Sequence, residues 1–272
     1  MVKADLIQLR NEFNVIVIDE CHLCSGNSTY VSQYQKILSN LVAQYRIGIT
    51  ATPFRNDGLT PCLFALLNKV KYEIKEEEIA DKVIKAKVKA IPTNYVFSSK
   101  CLKFDGTLVY SQLANELAKD KDRNDLILKL LKENKNHYCL VLSDRLEGLK
   151  YLYEQLGEGV FINGSMTSKK AKQEREKAIK EMREGKQHVL FSSFGIAREG
   201  LNIPILDRLF LIAPTQNKAS VLQSTGRIER TYKGKTECIV YDFVDIKNIY
   251  YAKMWKKRCG FYKKNGNKIL EG

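Results

Sequence analysis

Two adjacent acidic residues could do chemistry near the start of this sequence. Asp19 and Glu20 directly follow an apolar run at 15–18, which predicts a buried strand that ends in two carboxylates. Open α/β sheets bind their ligands at the carboxyl ends of the strands. In phosphoryl transfer, one carboxylate can hold a Mg²⁺ ion while a second orients the attacking water. The pair could fill these two roles, but two solvated acids at a strand end would give the same sequence.

A second candidate group lies far downstream, on a predicted helix that begins near Asn217. Gln223, Arg227 and Arg230 are spaced i, i+4 and i+7, so one helical face would present an amide and two guanidinium groups. Guanidinium groups bind phosphate bidentately and can stabilise the charge of a phosphoryl group in transfer. Gly226 within this helix costs about 1 kcal/mol relative to Ala, which predicts that another backbone approaches closely there. The alternative is a basic face that contacts only solvent.

The elements that must position these groups are short apolar runs that alternate with amphipathic stretches. Unbroken apolar runs predict strands buried on both faces, and apolar residues at i, i+3 and i+4 predict helices. Strands that alternate with helices predict an α/β fold with parallel, doubly wound sheets. The runs lie at 15–18, 45–49, 138–142, 160–162, 188–191, 208–213 and 238–243, and the helices at about 145–156, 168–184 and 217–227.

The distribution of these elements predicts two domains. The chain of 272 residues is long enough for both. Five predicted strands between 138 and 243 make a complete α/β domain, whereas 1–91 contains two convincing strands, too few for the same fold. We therefore predict an incomplete first domain with a linker over 1–100, a complete second domain over 101–245 and a tail over 246–272.

Composition places limits on the partners and the compartment. The chain carries 45 Lys and Arg against 31 Asp and Glu, a net charge of +14, which favours a polyanionic partner but could equally serve solubility. Eight of the basic residues lie among aromatics between 246 and 270, a pattern that fits either single-strand binding or a helix packed by its aromatics. Seven scattered cysteines predict reduced thiols. With no signal peptide or membrane-spanning run, we expect a location in the cytoplasm, the nucleoid or a site of viral replication, and no membrane partner.

Together, these stretches resemble the motifs of superfamily 2 helicases of the DEAD/DEAH-box type, over roughly residues 5–245. DECH at 19–22 and GITATPFRNDGL at 48–59 resemble the second and third motifs, VLFSSFGIAREGLNIP at 189–204 the fifth, and QSTGRIER at 223–230 the sixth. The stretches 70–74 and 123–127 are similar to the XPB-like and phage-type branch of that superfamily.

The resemblance implies two tandem RecA-like domains, with ATP and Mg²⁺ in the cleft between them and nucleic acid across both, DNA being favoured over RNA. It implies that Asp19 holds the Mg²⁺ ion, that Glu20 orients the water, and that Arg227 and Arg230 act as arginine fingers. The family usually has Asp where this chain has Asn202, which changes the charge of the group expected to face the ribose. Residues implied in ATP binding or coupling are His22, Thr50, Thr52, Gly200, Asn202, Gln223 and Gly226, and those implied in nucleic-acid binding are Ser143, Gly164 and Ser193.

One part expected of such an enzyme is absent from the sequence. No G-x4-GK[ST] phosphate loop occurs; GKT at 234–236 has Glu229 at the first glycine position and is followed by a predicted strand. Three explanations stay open: a fragment of a larger enzyme, a separate chain that supplies the missing half of the first domain, or a non-catalytic nucleic-acid-binding module or assembly subunit. We favour the first two, because both acids and both arginines remain, and expect an ATP-hydrolysing helicase or translocase core that is inactive alone.

Overall fold

The computed structural model describes residues 9, 12–24, 33–50, 58–75, 78, 82–164, 168–198 and 201–270 of the chain. The chain divides into two compact units, Met1–Lys75 and Glu76–Gly272. This division precedes a strand at 87–92 that pairs within the second unit, whereas the sequence-based boundary after residue 100 assigns that strand to the first domain. In the part of the chain that the structure describes, no helix has the length and apolar character needed to cross a membrane.

The first unit contains a two-stranded parallel sheet. Strands β1 (Val15–Ile18) and β2 (Tyr45–Gly48) pair residue by residue from Val15 with Tyr45 to Ile18 with Gly48. Helices α1 (Gln33–Asn40) and α2 (Thr60–Leu67) contribute to a small core on one face of this sheet. The core consists of Ile18, Cys21, Cys24, Leu38 and Leu63.

The opposite face of this small sheet is apolar and exposed. Val15, Val17, Tyr45 and Ile47 have exposed fractions between 48% and 59%. Alternate residues of a strand point to opposite faces, and paired residues share a face. The described residues therefore cover only one face of this sheet. For this part of the chain, the prediction that these two runs are buried on both faces is wrong.

The second unit begins with strand β3 and alternates strands with helices to its end. A one-turn 3-10 helix at Ser99–Cys101 follows the first strand. The elements are β3 Lys87–Pro92, α3 Tyr110–Lys119, α4 Lys121–Glu133, β4 Cys139–Leu142, α5 Leu146–Leu156, β5 Val160–Ile162, α6 Lys169–Arg183, β6 Val189–Ser192, α7 Phe194–Arg198, β7 Arg208–Leu211, α8 Lys218–Ile228, β8 Ile239–Val244, α9 Ile249–Lys264 and β9 Lys268–Leu270.

These strands form one seven-stranded sheet in the order β5-β6-β4-β7-β8-β3-β9, and all of the paired strands are parallel. Strand β4 shows how the sheet is buried on both faces. Leu140 and Leu142 belong to one apolar cluster, while Cys139 and Val141 belong to a second cluster, since successive side chains point to opposite faces. Helices therefore cover both faces, and the predicted parallel α/β architecture is confirmed for this unit.

The tail predicted at 246–272 supplies a helix and an edge strand to the second unit. Helix α9 is fixed to β8 by a buried ion pair, in which the Arg258 guanidinium donates from Nε to Asp242 Oδ2 (2.8 Å) and from Nη2 to Asp242 Oδ1 (2.7 Å). The Tyr262 hydroxyl also donates to Asp242 Oδ2, at 2.8 Å. Tyr251 and Tyr262 are buried. Of the two interpretations left open by the sequence, the structure favours a helix packed by its aromatics.

The two glycines that precede β5 differ in how closely the chain packs around them. Both glycines have positive φ angles, 75° at Gly157 and 95° at Gly159. A Cβ added at Gly157 would meet no atom within 4 Å. A Cβ added at Gly159 would lie 2.5 Å from the Val189 carbonyl oxygen. We expect Gly157→Ala to lower the free energy of unfolding by about 1–2 kcal/mol and Gly159→Ala by about 1–3 kcal/mol more, because overlap adds to backbone strain. Urea unfolding of both variants measures the difference, and equal losses would contradict it.

Candidate functional site

Strand β1 delivers the two acids to its carboxyl end. Asp19 is exposed and accepts a hydrogen bond from the Glu20 backbone N–H at 2.9 Å. Glu20 is half-buried and adopts the left-handed region, with φ 49° and ψ 44°, a conformation that costs a non-glycine residue about 1–2 kcal/mol. Such strain clusters at functional sites. The sequence contained no signal for it.

His22 links the acid turn to the end of the neighbouring strand. Its Nδ1 lies 2.9 Å from Thr50 Oγ1 and 3.3 Å from Glu20 Oε2. The sequence predicted that a small hydroxylated side chain after β2 could bond the acidic motif, and the structure has this contact at Thr50. Thr52 lies outside the described residues. One imidazole therefore contacts both an acid that follows β1 and a hydroxyl that follows β2.

Cys21 and Cys24 lie beside the acids and are buried. Burial raises the pKa of the Cys21 thiol, and the charges of Glu20 and Asp19 add to this effect. Burial also raises the pKa of Cys24 to about 11, with Cys21 contributing. Both are therefore protonated thiols at neutral pH in this structure. No group of three or more His, Cys, Asp or Glu is placed to hold a metal ion within the described residues.

Helix α8 carries part of the predicted cationic face. The Asn217 side chain accepts the backbone N–H of Ser220 at 3.0 Å and begins the helix where predicted. The helix ends at Ile228, so Arg230 lies two residues beyond it, in an isolated antiparallel bridge with Val83. The prediction that one helical face carries all three side chains is therefore wrong for Arg230.

Both guanidinium groups nevertheless bond to the same neighbouring segment, 197–202. Arg227 Nε donates to the Ala197 carbonyl at 2.8 Å. Arg230 Nη1 donates to Asn202 Oδ1. The stretches that resembled the fifth and sixth motifs are thus in contact through these two arginines. Gly200, also predicted here, lies outside the described residues.

Other predictions on α8 have different outcomes. A Cβ built at Gly226 would meet no atom within 4 Å, so the backbone predicted to approach there is not found among the described residues. Gln223 Oε1 is buried and has no hydrogen-bond partner within the described part of the chain. An unpaired buried acceptor costs about 1–3 kcal/mol. A hydrogen-bond donor of a ligand would satisfy this acceptor.

Lys235, in the GKT run at 234–236, has a structural role. Its Nζ contacts four main-chain carbonyl oxygens at 2.5–3.2 Å, those of Pro204, Leu206, Ile228 and Arg230. Burial lowers the pKa of this ammonium group. The lysine thus bonds the end of α8 and the backbone of Arg230, a role that sequence analysis missed.

The three residues predicted to contact nucleic acid follow adjacent strands. Ser143, Gly164 and Ser193 lie after β4, β5 and β6, so they share the carboxyl edge of the sheet. The hydroxyl of Ser143, which is buried, accepts the backbone N–H of Arg145 at 3.0 Å. Gly164 is exposed, with open space around it. A cavity of about 340 Å³ adjoins Ser143, and Arg145 also lines it.

Comparisons with known proteins agree with this arrangement of motifs. Residues 122–232 match the family described as helicase conserved C-terminal domain, and 2–55 match type III restriction enzyme, res subunit. A protein of Acanthamoeba polyphaga mimivirus named an ATP-dependent RNA helicase is 29% identical, over 94% of this chain and 48% of that protein. DNA 3'-5' translocase XPB2 of Sulfurisphaera tokodaii is 26% identical, over 87% and 60%. The chain spans about half the length of the first relatives it matches.

A solved structure of a Saccharomyces cerevisiae Dbp5 variant bound to RNA and ADP BeF3 is similar in fold. Its TM-score is 0.62 at 18% identity, and the match covers 94% of this chain and 59% of that chain. At this identity the likeness shows the fold alone. The predicted RecA-like α/β fold is confirmed.

Proposed function

Because the chain belongs to the superfamily 2 helicases, we propose that it is part of an ATP-dependent helicase or translocase that acts on nucleic acid. We propose DNA as the substrate, on the resemblance of 70–74 and 123–127 to the XPB-like branch. ATP and Mg²⁺ are the proposed cofactors.

The contact of His22 with both Glu20 and Thr50 is the observation that carries this proposal. Asp19 offers an exposed carboxylate, the hard oxygen ligand that Mg²⁺ prefers, and when bound this ion would neutralise charge on the phosphates. Glu20, turned by its left-handed backbone and contacted by His22 at 3.3 Å, would orient the attacking water. A structural turn needs neither the strained glutamate nor its link to a second strand.

Arg227 and Arg230 are the proposed arginine fingers. Arg227 contacts a carbonyl oxygen of Ala197, and Arg230 contacts the neutral carboxamide of Asn202. The positive charge of Arg230 is therefore not cancelled by its contact with Asn202 and is available for a phosphoryl group. An Asp in place of Asn202 would pair with Arg230.

Ser143, Gly164 and Ser193 are the proposed contacts to the nucleic-acid backbone. Hydroxyl and backbone N–H groups donate to phosphate oxygens, and such contacts position a strand without reading its sequence. Their common place at the carboxyl edge of three neighbouring strands supports one continuous track for a strand.

The exposed apolar face of β1 and β2 supports a further partner. Val15, Val17, Tyr45 and Ile47 present apolar side chains on a sheet of two strands, and a sheet this small needs further packing for independent stability. We propose that an α/β polypeptide that carries the phosphate loop covers this face. The acids that follow β1 would then adjoin that loop.

Reconstitution tests the proposed function directly. We expect the chain alone to release phosphate from ATP barely above background, because the sequence has no loop to cradle the phosphates. Addition of a polypeptide that carries the missing half of the first domain, with its G-x4-GK[ST] phosphate loop, should restore turnover that nucleic acid stimulates. Phosphate release with and without DNA measures this.

The control is the same added half with its phosphate-loop lysine replaced by alanine, which should restore no turnover. A stable complex that binds DNA but never hydrolyses ATP would count against the motor and favour the alternative, a non-catalytic nucleic-acid-binding module or assembly subunit.

A further inference from the structure

The positive charge of the chain is concentrated near its end. Residues 246–270 contain eight of the 45 basic residues and none of the 31 acidic ones. The other 247 residues then hold 37 basic and 31 acidic side chains, an excess of only six. A charge spread for solubility alone has no reason to collect in one segment.

Helix α9 separates this charge from its aromatic residues. At 100° per residue, five of its lysines fall within an arc of about 120°, and all five are exposed. Tyr251, Arg258 and Tyr262 are buried on the opposite side. This lysine face of α9 consists of Lys253, Lys256, Lys257, Lys263 and Lys264.

The helix that carries this face is firmly held. Arg258 forms its two-bond ion pair with Asp242, and its guanidinium carbon lies 5.6 Å from the ring centre of Trp255. Tyr251 and Tyr262 are buried, and the other aromatic side chains of the helix are partly buried against apolar clusters. The lysine face can therefore offer contacts to phosphate, without stacking or base readout.

No carboxylate pairs with these five lysines among the residues that the structure describes. Five exposed lysines elsewhere in the second unit have acidic partners within 4.0 Å, namely Lys129, Lys150, Lys177, Lys180 and Lys186, and these supply a control. The only polar contact of the lysine face to another element is from Lys257 Nζ to Gln216 Oε1 at 2.7 Å, again within the described residues. The face thus keeps its full charge.

The lysine face adjoins the edge of the sheet that carries the proposed nucleic-acid contacts. Gln216, the partner of Lys257, lines the 340 Å³ cavity together with Ser143 and with Met254 of α9. A polyanion at Ser143 could therefore continue along α9. From Lys253 to Lys264 the helix rises about 16 Å, which equals about five phosphate spacings of one duplex strand.

We propose that the lysine face of α9 is a second, sequence-independent contact for the nucleic-acid backbone, outside the motifs of the sequence. The proposal rests on nucleic acid being the substrate and extends its path beyond Ser143. Binding at this face is electrostatic and releases counterions from the phosphates.

Replacing all five lysines by Gln tests this surface, since Gln is a good helix former and keeps the aliphatic stem. Fluorescence anisotropy with a labelled DNA duplex, across a salt series, gives the affinity and its salt dependence. We expect the affinity at low salt to fall by about tenfold or more. The slope of log K against log salt should become shallower by about 2 or more, because each lost phosphate contact reduces the slope by about 0.9.

The matched control replaces the five carboxylate-paired lysines by Gln and so removes the same net charge. Since these are exposed surface pairs, the control should fold normally and keep nearly the affinity and salt slope of the unchanged chain. Circular dichroism and urea midpoints confirm that both variants are folded.

Equal binding by the two variants would overturn the proposal while leaving the proposed function intact. A loss of binding to vesicles of anionic lipid, with DNA binding unchanged, would also overturn it by assigning the face to a membrane surface. If the unchanged chain binds neither DNA nor RNA, both this inference and the proposed nucleic-acid substrate fail.

Discussion

Replacement of Arg230 by Ala, in the chain reconstituted with a phosphate-loop polypeptide, should lower kcat for DNA-stimulated ATP hydrolysis by about 10³-fold or more. The reason is that the guanidinium would stabilise charge that develops only in the transition state. Its partner in the structure is the neutral side chain of Asn202, so the arginine is not needed to balance a buried acid. Single-turnover rates at saturating ATP and DNA measure the effect.

Two controls separate catalysis from folding in this experiment. The Arg230 side chain is partly exposed, and the nearby backbone is bonded by Lys235, so Arg230→Ala should leave the urea midpoint nearly unchanged. Arg230→Lys keeps the charge but loses the planar fork and should recover part of the rate. A loss of only a few fold in the Ala variant would refute the assignment of Arg230 as a finger.

Much of the sheet could be predicted from the sequence because its central strands are buried on both faces. β4, β6, β7 and β8 are buried along their whole length, and an unbroken apolar run is the direct sequence consequence of such burial. β3 was missed because its sequence, KVKAIP, alternates lysine with apolar residues. It lies next to the edge of the sheet, where Lys89 covers the ring of Tyr241 at 5.7 Å, so its pattern resembled a solvated segment.

The candidate site was predictable in residue type but not in geometry. Asp19 and Glu20 follow β1 as expected, but the left-handed backbone of Glu20 depends on how the following turn packs. Arg230 was placed on a helix because spacing gives no stop signal at Ile228. The helix ends there within a network that includes Lys235, whose partner carbonyls at 204 and 206 are about 30 residues away in the sequence.

Two buried ion pairs show a similar limit of prediction from the sequence. Asp242 lies within the apolar run at 238–243, and an acid in a strand buried on both faces requires a partner. The sequence therefore signals that a cation is needed but does not identify Arg258. For Asp245 the partner is Arg123, at 2.8 Å and 122 positions away in the sequence, a distance that local patterns cannot bridge.

The Asp242–Arg258 pair should give the largest effect on stability. Asp242→Ala leaves the buried guanidinium without its carboxylate and removes the acceptor of the Tyr262 hydroxyl, so we expect the free energy of unfolding to fall by about 3–5 kcal/mol. In the unchanged chain, burial lowers the pKa of Arg258, but the adjacent Asp242 carboxylate raises it overall. The variant removes that carboxylate, yet an arginine side chain stays protonated in proteins, so deprotonation does not relieve the loss.

Urea unfolding of the chain measures this loss. Glu154→Ala is the matched control, because Glu154 forms its ion pair with Lys150, at 3.5 Å, on the exposed surface. The control should cost less than about 1 kcal/mol, and a similarly small cost for Asp242→Ala would contradict the prediction.

If Asp242→Ala does not fold, the double variant Asp242→Leu with Arg258→Met decides the cause. It removes both charges while keeping apolar volume, so it should recover most of the stability. Failure of the double variant to recover would mean that the shape of the pair, and not its charge, fixes α9 to the sheet.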